Sequence, residues 1–203
     1  MKRFLTLLVI LLIFTPSVKT NAQELSTTKE KRAYKKRHPI YGFKEVSLSN
    51  TDTISGYDEQ EEKLKISGTI YQSDGVTPAK NIIFYICQPD DYGDYGSKKI
   101  NGKRVLKYQA CIKTDDDGHY TFYTFVPGTY WPSRSLQEIH GVIKTPDNTK
   151  EYAIEHFIFD NDPLLRRSCR KKIEKRGLKN ILKLEKKDNM LVGRRDIVLK
   201  ATS

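Results

Sequence analysis

Short segments of alternating apolar and polar residues, separated by turn residues, run through most of this 203-residue chain from Leu64 onward. In "KLKISGTIYQ", Leu64 and Ile66 alternate with polar residues, which is the period of a strand with one buried face. Asp-Gly and Pro-Gly pairs between the segments favour turns. Because no long amphipathic helix interrupts this pattern, the sequence predicts an all-β chain, a β-sandwich of mostly antiparallel strands.

Several segments predict individual strands. The run "NIIFYICQ" is apolar throughout, which predicts a strand buried on both faces. The stretch "YQACIKTDDDGHYTFYTF" predicts two strands joined as a hairpin at Asp117-Gly118. "EIHGVIKT" and "EYAIEHFIFD" predict two more strands, and "NILKLEKKDNMLVGRRDIVLK" predicts a hairpin with Asp188-Asn189 at its tip.

The first 22 residues have the layout of an export signal. A positive start is followed by the apolar run from Phe4 to Phe14 and by the small-residue cleavage site Thr20-Asn21-Ala22. The apolar run is too short to span a bilayer, which takes about 20 residues. We therefore predict that residues 1–22 are removed and that the mature protein is periplasmic or extracellular.

The mature chain divides into two parts. Residues 23–62 are polar and include a basic cluster from Lys29 to Arg37, so they predict an N-terminal arm or a mobile tail. Residues 63–203 contain the strand segments and predict one β-sandwich domain. Three cysteines leave room for one internal disulfide at most, and Cys87 with Cys111 on neighbouring predicted strands is a pair that could form it.

Positive charge is concentrated near the C-terminus. The segment from Arg166 to Lys200 holds 14 basic residues against four acidic ones. One interpretation is a surface for an anionic partner such as lipid headgroups; the other is a solvated basic helix and hairpin outside the sandwich, which we favour. The export signal and the lack of an aromatic platform among the charges argue against nucleic acid.

Four pieces of the sequence, in order, resemble the intradiol ring-cleavage dioxygenases, the family of catechol and protocatechuate dioxygenases. The pieces are "GTIYQSDGVTPAKNIIFYICQPDDYGDYG", "IKTDDDGHYTFYTFVPGTYWP", "EIHGVIKTP" and "EHFIFDNDPLL". The resemblance runs from about Leu64 to Leu165 and more loosely to "RRDIVLK". It implies a β-sandwich with a non-haem Fe(III) held by two tyrosines and two histidines.

The resemblance also implies which residues bind the metal. Tyr95 in "YGDYG" and Tyr130 in "PGTYW" match the family's tyrosines, and His140 matches the second histidine of its His-x-His motif. Glu138 stands where the first histidine is expected. Residues two apart on a strand point to the same face, so Glu138 and His140 can approach one ion. Phenolates suit Fe(III) because it is a hard cation.

Two further residues are candidates. His156 lies where the family has a polar residue at the border of the active site, so it is a possible substitute for the missing imidazole or else a surface histidine. Arg134 precedes the motif, where the family often has an arginine that steadies the ring-opening intermediate. The catalytic set is then Tyr95, Tyr130, His140 and Arg134.

Two functions follow from these residues. The first is an exported dioxygenase that inserts O2 between the hydroxyl-bearing carbons of a small aromatic diol, in aromatic-compound breakdown. The second is a non-catalytic β-sandwich that kept the fold as a binding or envelope-associated module. Three ligands retained in order, Tyr95, Tyr130 and His140, favour the enzyme, whereas Glu138 and the basic C-terminal segment favour the module. Membrane-surface contact is compatible with the charge but not favoured, and the substrate and the oligomeric state stay open.

Overall fold

Two β-sheets face each other in the computed structural model, which describes residues 33, 36–100, 102–129, 135–147 and 150–201. Within this part of the chain the strands are numbered in chain order. The first sheet consists of β1 (Thr51–Thr53), β2 (Lys63–Tyr71), β7 (His119–Phe125), β12 (Glu185–Lys187), β13 (Met190–Arg194) and β14 (Ile197–Val198). The second consists of β3 (Ile83–Cys87), β6 (Gln109–Lys113), β8 (Glu138–Lys144), β9 (Tyr152–Ala153), β10 (Phe157–Phe159) and β11 (Ile181–Leu182).

The remaining elements are short. A separate two-stranded ribbon pairs β4 (Lys98–Ile100) with β5 (Lys103–Val105). Two 3-10 helices, Pro39–Gly42 and Glu45–Ser47, precede β1, and the α-helix α1 spans Arg167–Lys175. None of the helices in the described residues is long and apolar enough to cross a membrane.

The two sheets pack through their inner faces around Phe84 of β3. This ring is fully buried and makes edge contacts with Tyr120 and Phe122 of β7, with ring centroids 5.1 and 5.2 Å apart. Because β3 and β7 belong to different sheets, these contacts join the sandwich, and burying each such side chain contributes about 1.5–3 kcal/mol. The predicted β-sandwich is confirmed.

The order of strands in the first sheet is β1-β7-β2-β13-β12, and in the second it is β11-β10-β8-β3-β6. The pairs β2 with β7, β3 with β6 and β3 with β8 are antiparallel. Parallel pairs join β1 to β7, β2 to β13 and β10 to β11. The closing hairpin is confirmed, since β12 and β13 are antiparallel around Asp188 with its positive φ of 52°.

The hairpin predicted at Asp117-Gly118 is wrong, because its two strands lie in opposite sheets. β6 pairs with β3, whereas β7 pairs with β2 and β1. The turn itself is present, and Gly118 adopts a φ of 70°. A Cβ at Gly118 would lie 2.5 Å from the carbonyl oxygen of Ile70, so the chain crosses between the sheets against the backbone of β2. Apolar alternation alone does not distinguish a crossing turn from a hairpin.

The predicted strand "EYAIEHFIFD" is interrupted between β9 and β10. Ile154 breaks away from regular pairing, although its amide still donates to the carbonyl of Gly141 at 3.0 Å. Its side chain covers Gly141, where a Cβ would approach it to 2.8 Å. At the interruption, Ile154 therefore packs closely over a glycine of β8.

The N-terminal segment after residue 36 packs on the sandwich. Arg37 to Ser203 form one compact unit. Ile40 is buried against the outer face of the second sheet, beside Tyr85 and Cys111, and β1 pairs with β7. Part of the predicted arm is thus an ordered cover, while the division at residue 62 stays a prediction.

The three cysteines are free thiols. Cys87 and Cys111 do lie on neighbouring strands, as predicted. However, Cys87 is opposite Gln109 and Cys111 is opposite Tyr85, so the two are diagonal rather than facing. Diagonal neighbours in a sheet are farther apart than a disulfide permits without backbone movement.

Candidate metal centre

The candidate centre lies on the outer face of the second sheet, at the start of β8. Strand β8 alternates strictly, with Ile139 and Gly141 buried and Glu138 and His140 half-buried on the other side. This alternation follows from the period of two, and it places the two polar side chains on one face as the sequence predicts.

The neighbouring strands add two residues to this face. Cys87 at the end of β3 lies directly opposite His140. On the other side of β8, Phe157 of β10 pairs with Ile139, so His156 is level with His140. Cys87, His140 and His156 therefore form a row across three adjacent strands.

Tyr95 reaches His140 from the loop that follows β3. Gln88 anchors the start of this loop, since its buried side-chain amide donates to the carbonyl of Phe125 at 2.9 Å and accepts from the Thr124 hydroxyl at 2.6 Å. Asp90 shapes the turn, because its carboxylate accepts hydrogen bonds from the amides of Tyr92 and Asp94, at 3.0 and 2.8 Å. Two internal anchors thus hold the loop.

The chain after β7 packs tightly on the same loop. The amide of Gly128 donates to the carbonyl of Asp90 at 2.8 Å. A Cβ at Gly128 would lie only 1.8 Å from the carbonyl oxygen of Asp91, so glycine is required for this approach. Tyr130 and Arg134, predicted for the site from this segment, lie outside the described residues.

The structure brings Tyr95, His140, His156 and Glu138 together in one hydrogen-bonded chain. The Tyr95 hydroxyl lies 2.5 Å from His140 Nε2. His140 Nδ1 lies 3.1 Å from His156 Nε2, and His156 Nδ1 lies 2.7 Å from a carboxylate oxygen of Glu138. Ionised Glu138 can only accept, so with neutral imidazoles each Nδ1 carries the proton and each Nε2 accepts.

Burial and this chain of contacts set the charge states. The hydrogen bond from His156 lowers the pKa of Glu138, and the same contact raises the pKa of His156. Burial lowers the pKa of His140, which keeps its imidazole neutral. Burial raises the pKa of Tyr95 to about 12, so without a cation it is a phenol. A cation binding there must displace the proton.

A cavity of about 260 Å³ opens above these side chains. Its walls are Pro89, Gly93, Tyr95, Gly128, Thr129, Ser135, Leu136, Glu138 and His140. Ligand pockets commonly measure about 300–1,000 Å³, so this cavity is slightly smaller than that range and suits a compact molecule.

The donor set fits a cation that accepts hard oxygen and imidazole ligands. Glu138, His140 and His156 each offer one ligand atom, and these atoms lie within 4.8 Å of one another. Tyr95 adds a phenol oxygen beside His140. Phenolate and carboxylate oxygens with imidazoles are ligands that iron accepts.

Sequence reasoning missed three contributors. Cys87 next to His140 could have been found only from the strand register, and the Gln88 anchor only from knowing which sheet β7 joins. The N-terminal cover, the segment from Arg37 onward that packs on the second sheet, was also missed. The rings of His38 and Phe43 make edge contacts with the ring of Tyr85 on the same sheet face, with ring centroids 5.2 and 6.0 Å apart. The apolar residues of that segment were too few to signal packing.

No protein-family profile matches the sequence, and no curated protein matches it. Solved structures do match the fold. An intradiol ring-cleavage dioxygenase from Tetranychus urticae is 18% identical, with a TM-score of 0.50 over 68% of this chain and 81% of that one. A hydroxyquinol 1,2-dioxygenase from Pseudomonas putida DLL-E4 is 15% identical, with a TM-score of 0.55 over 79% of this chain and 64% of that one.

A catechol 1,2-dioxygenase from Acinetobacter sp. ADP1 is 13% identical, with a TM-score of 0.54 over 88% of this chain and 68% of that one. The chain thus has the β-sandwich fold of the intradiol ring-cleavage dioxygenases. The predicted resemblance is confirmed for the fold. At these identities the likeness carries the fold alone, and the ligand assignments stay predictions.

Proposed function

We propose that this protein is an exported, iron-dependent dioxygenase of the intradiol type that cleaves a small aromatic diol. The observation that carries the proposal is the contact of Tyr95 with His140 Nε2, at 2.5 Å, beneath a small cavity on this fold. Export rests on the sequence of residues 1–22 alone.

The proposed ligands of a non-haem Fe(III) are Tyr95, Tyr130, Glu138 and His140. When bound, such an iron supplies the means to bind the diol as its dianion and to make the ring reactive towards O2. Both oxygen atoms of O2 enter the product, a muconate-type diacid, so the reaction needs no external reductant.

The side chains around the cavity have separate roles. His140 presents a neutral Nε2, and Tyr95 presents an oxygen that gives up its proton when a cation binds. Leu136 and Pro89 supply apolar wall that displaces water from one side of a ring. Arg134 is proposed, from the resemblance, to steady the charge on the ring-opening intermediate.

The carboxylate of Glu138 changes the electrostatics of such a site. Two phenolates leave one positive charge on Fe(III), and a third anionic ligand cancels it. A neutral centre attracts a diol dianion less strongly than a positive one. We therefore expect slower turnover or a different diol preference than a site with a second histidine would give.

The test is O2 consumption with simple catechols by the iron-loaded mature chain, together with detection of the diacid product. Tyr95→Phe should abolish the activity. Tyr92→Phe is the matched control, because Tyr92 belongs to the same loop but its side chain is exposed. Equal activity in the wild type and Tyr95→Phe would refute the assignment.

A second candidate function is a non-catalytic binding module, and Glu138 is the observation that favours it. The Glu138 carboxylate is already engaged by His156 at 2.7 Å, as in an ordinary surface ion pair. A protein that retains no iron and consumes no O2 with any catechol would support this second function over the first.

A further inference from the structure

The His156 side chain lies within hydrogen-bond distance of both Glu138 and His140. Its Nδ1 lies 2.7 Å from the Glu138 carboxylate, and its Nε2 lies 3.1 Å from His140 Nδ1. The two imidazole rings are close, with centroids 4.1 Å apart. A single side chain therefore connects the two proposed ligands of β8.

The backbone around His156 is held in place by a buried side chain. Asn180 is buried, and its side-chain amide donates to the carbonyl of His156 at 2.9 Å. The carbonyl of Asn180 accepts from the amide of Ile158 at 2.9 Å. On the preceding residue, Arg195 donates to the carbonyl of Glu155 at 2.7 Å. His156 is thus presented from a fixed backbone rather than from a free loop.

The position of His156 relative to the cavity indicates what it can do. The cavity is lined by Tyr95, Glu138 and His140, and His156 is not among its lining residues. Both ring nitrogens of His156 instead face protein partners, Nδ1 the Glu138 carboxylate and Nε2 the Nδ1 of His140. His140 directs its Nε2 at the Tyr95 oxygen, on the side of the cavity.

We infer that His156 is a positioning residue of the metal centre, and that it orients Glu138 and His140 without binding the metal. The inference rests on the proposed metal site. It also explains why a carboxylate stands at position 138, because Glu138 is the hydrogen-bond partner of His156 Nδ1. Histidines that bind metals commonly have their other nitrogen hydrogen-bonded, and loss of such a partner costs about 10–100-fold in affinity.

The experiment compares His156→Leu, which removes both hydrogen bonds, with His156→Gln, whose amide can donate to Glu138 and accept from His140. His119→Gln is the control, because His119 is an exposed histidine on the other sheet. Iron affinity should fall about 10–100-fold in His156→Leu. It should recover in His156→Gln, with the number of iron-bound imidazoles, counted by pulsed EPR, unchanged from the wild type.

A lower imidazole count in His156→Gln would make His156 a ligand and overturn the inference, as would wild-type affinity in His156→Leu. A second readout needs no metal. Nitrogen NMR of the metal-free protein should show His140 with its proton on Nδ1 in the wild type and in His156→Gln, but a mixture in His156→Leu. An unchanged His140 tautomer in His156→Leu would overturn the inference even if iron binding, and with it the proposed function, failed.

Discussion

The outer faces of the two sheets differ in what covers them. On the first sheet, Lys65 lies over the ring of Tyr123 and Lys63 over the ring of Tyr57, so cations and aromatic rings share a solvated surface. On the second sheet, the helix Pro39–Gly42 covers one end and the Tyr95 loop covers the other. On the second sheet, burial raises the pKa of Tyr95 and lowers the pKa of His140, and a cavity opens beside them.

The second sheet also places its polar groups in register. Cys87 of β3, His140 of β8 and His156, which precedes β10, form one row, with Glu138 two residues along β8. The first sheet also has a row in register, formed by Thr53, Tyr123 and Lys65, and Tyr57 from the loop after β1 packs on it. What distinguishes the second sheet is thus the set of phenol, imidazole and carboxylate groups that are hydrogen-bonded to one another beneath the Tyr95 loop.

The largest effect is expected from the core that both faces share. Phe84→Ala should destabilise the fold by about 3–5 kcal/mol, because Phe84 is fully buried between the two sheets. Chemical denaturation of the metal-free protein measures this loss. A change below 1 kcal/mol would show that the sheets do not pack through this ring.

Gly128→Ala should disrupt the candidate metal centre while leaving the core of the sandwich intact. Its Cβ would lie 1.8 Å from a backbone oxygen of the Tyr95 loop, so the loop must move. We expect loss of iron binding, with about 1–3 kcal/mol lost in stability from the strain. Gly42→Ala is the matched control, because nothing lies within 4 Å of its added Cβ. Normal iron binding in Gly128→Ala would show that the loop is not positioned by this contact.

The free energy of unfolding at alkaline pH should show whether the N-terminal segment keeps Cys111 buried on the second sheet. Burial raises the pKa of Cys111 from 9.0 to about 12, so the folded protein keeps this thiol protonated. The contribution of this protonated thiol to the free energy of unfolding is complete below pH 9. It is lost as the pH rises towards 12, because the unfolded chain releases the proton first. Cys111→Ala should make the decline of unfolding free energy above pH 9 shallower, whereas Cys169→Ala, an exposed site, should not.

The smallest effect is expected on the solvated face of the first sheet. Tyr123→Ala removes the ring beneath Lys65 and should cost about 0.5–1 kcal/mol beyond the apolar contact it loses. Iron binding and any activity should stay unchanged. Loss of iron from this variant would contradict the assignment of the site to the second sheet.

The strands were predictable from the sequence, but their placement was only partly so. The alternation in β8 and the apolar run of β3 identified buried strands because their periods report burial directly. The turn at Gly118 was predicted, but the sheet crossing was not, since a local sequence does not encode which distant strand is its partner.

The candidate site shows the same limit. The resemblance identified Tyr95 and His140, and the structure brings these two together. The sequence could not show that His156 contacts Glu138, because the contact depends on the pairing of β8 with β10 and on its register. It also could not show that the segment from Arg37 onward covers the sheet.

The most direct test of the metal centre is the visible spectrum of the iron-loaded protein beside a metal analysis. Tyrosinate bound to Fe(III) gives a broad charge-transfer band, so we expect a red-brown protein with about one iron per chain. Tyr95→Phe should weaken or shift the band, and Tyr123→Phe should not. A colourless protein that retains no iron would contradict the metal centre and leave the binding module as the function of this fold.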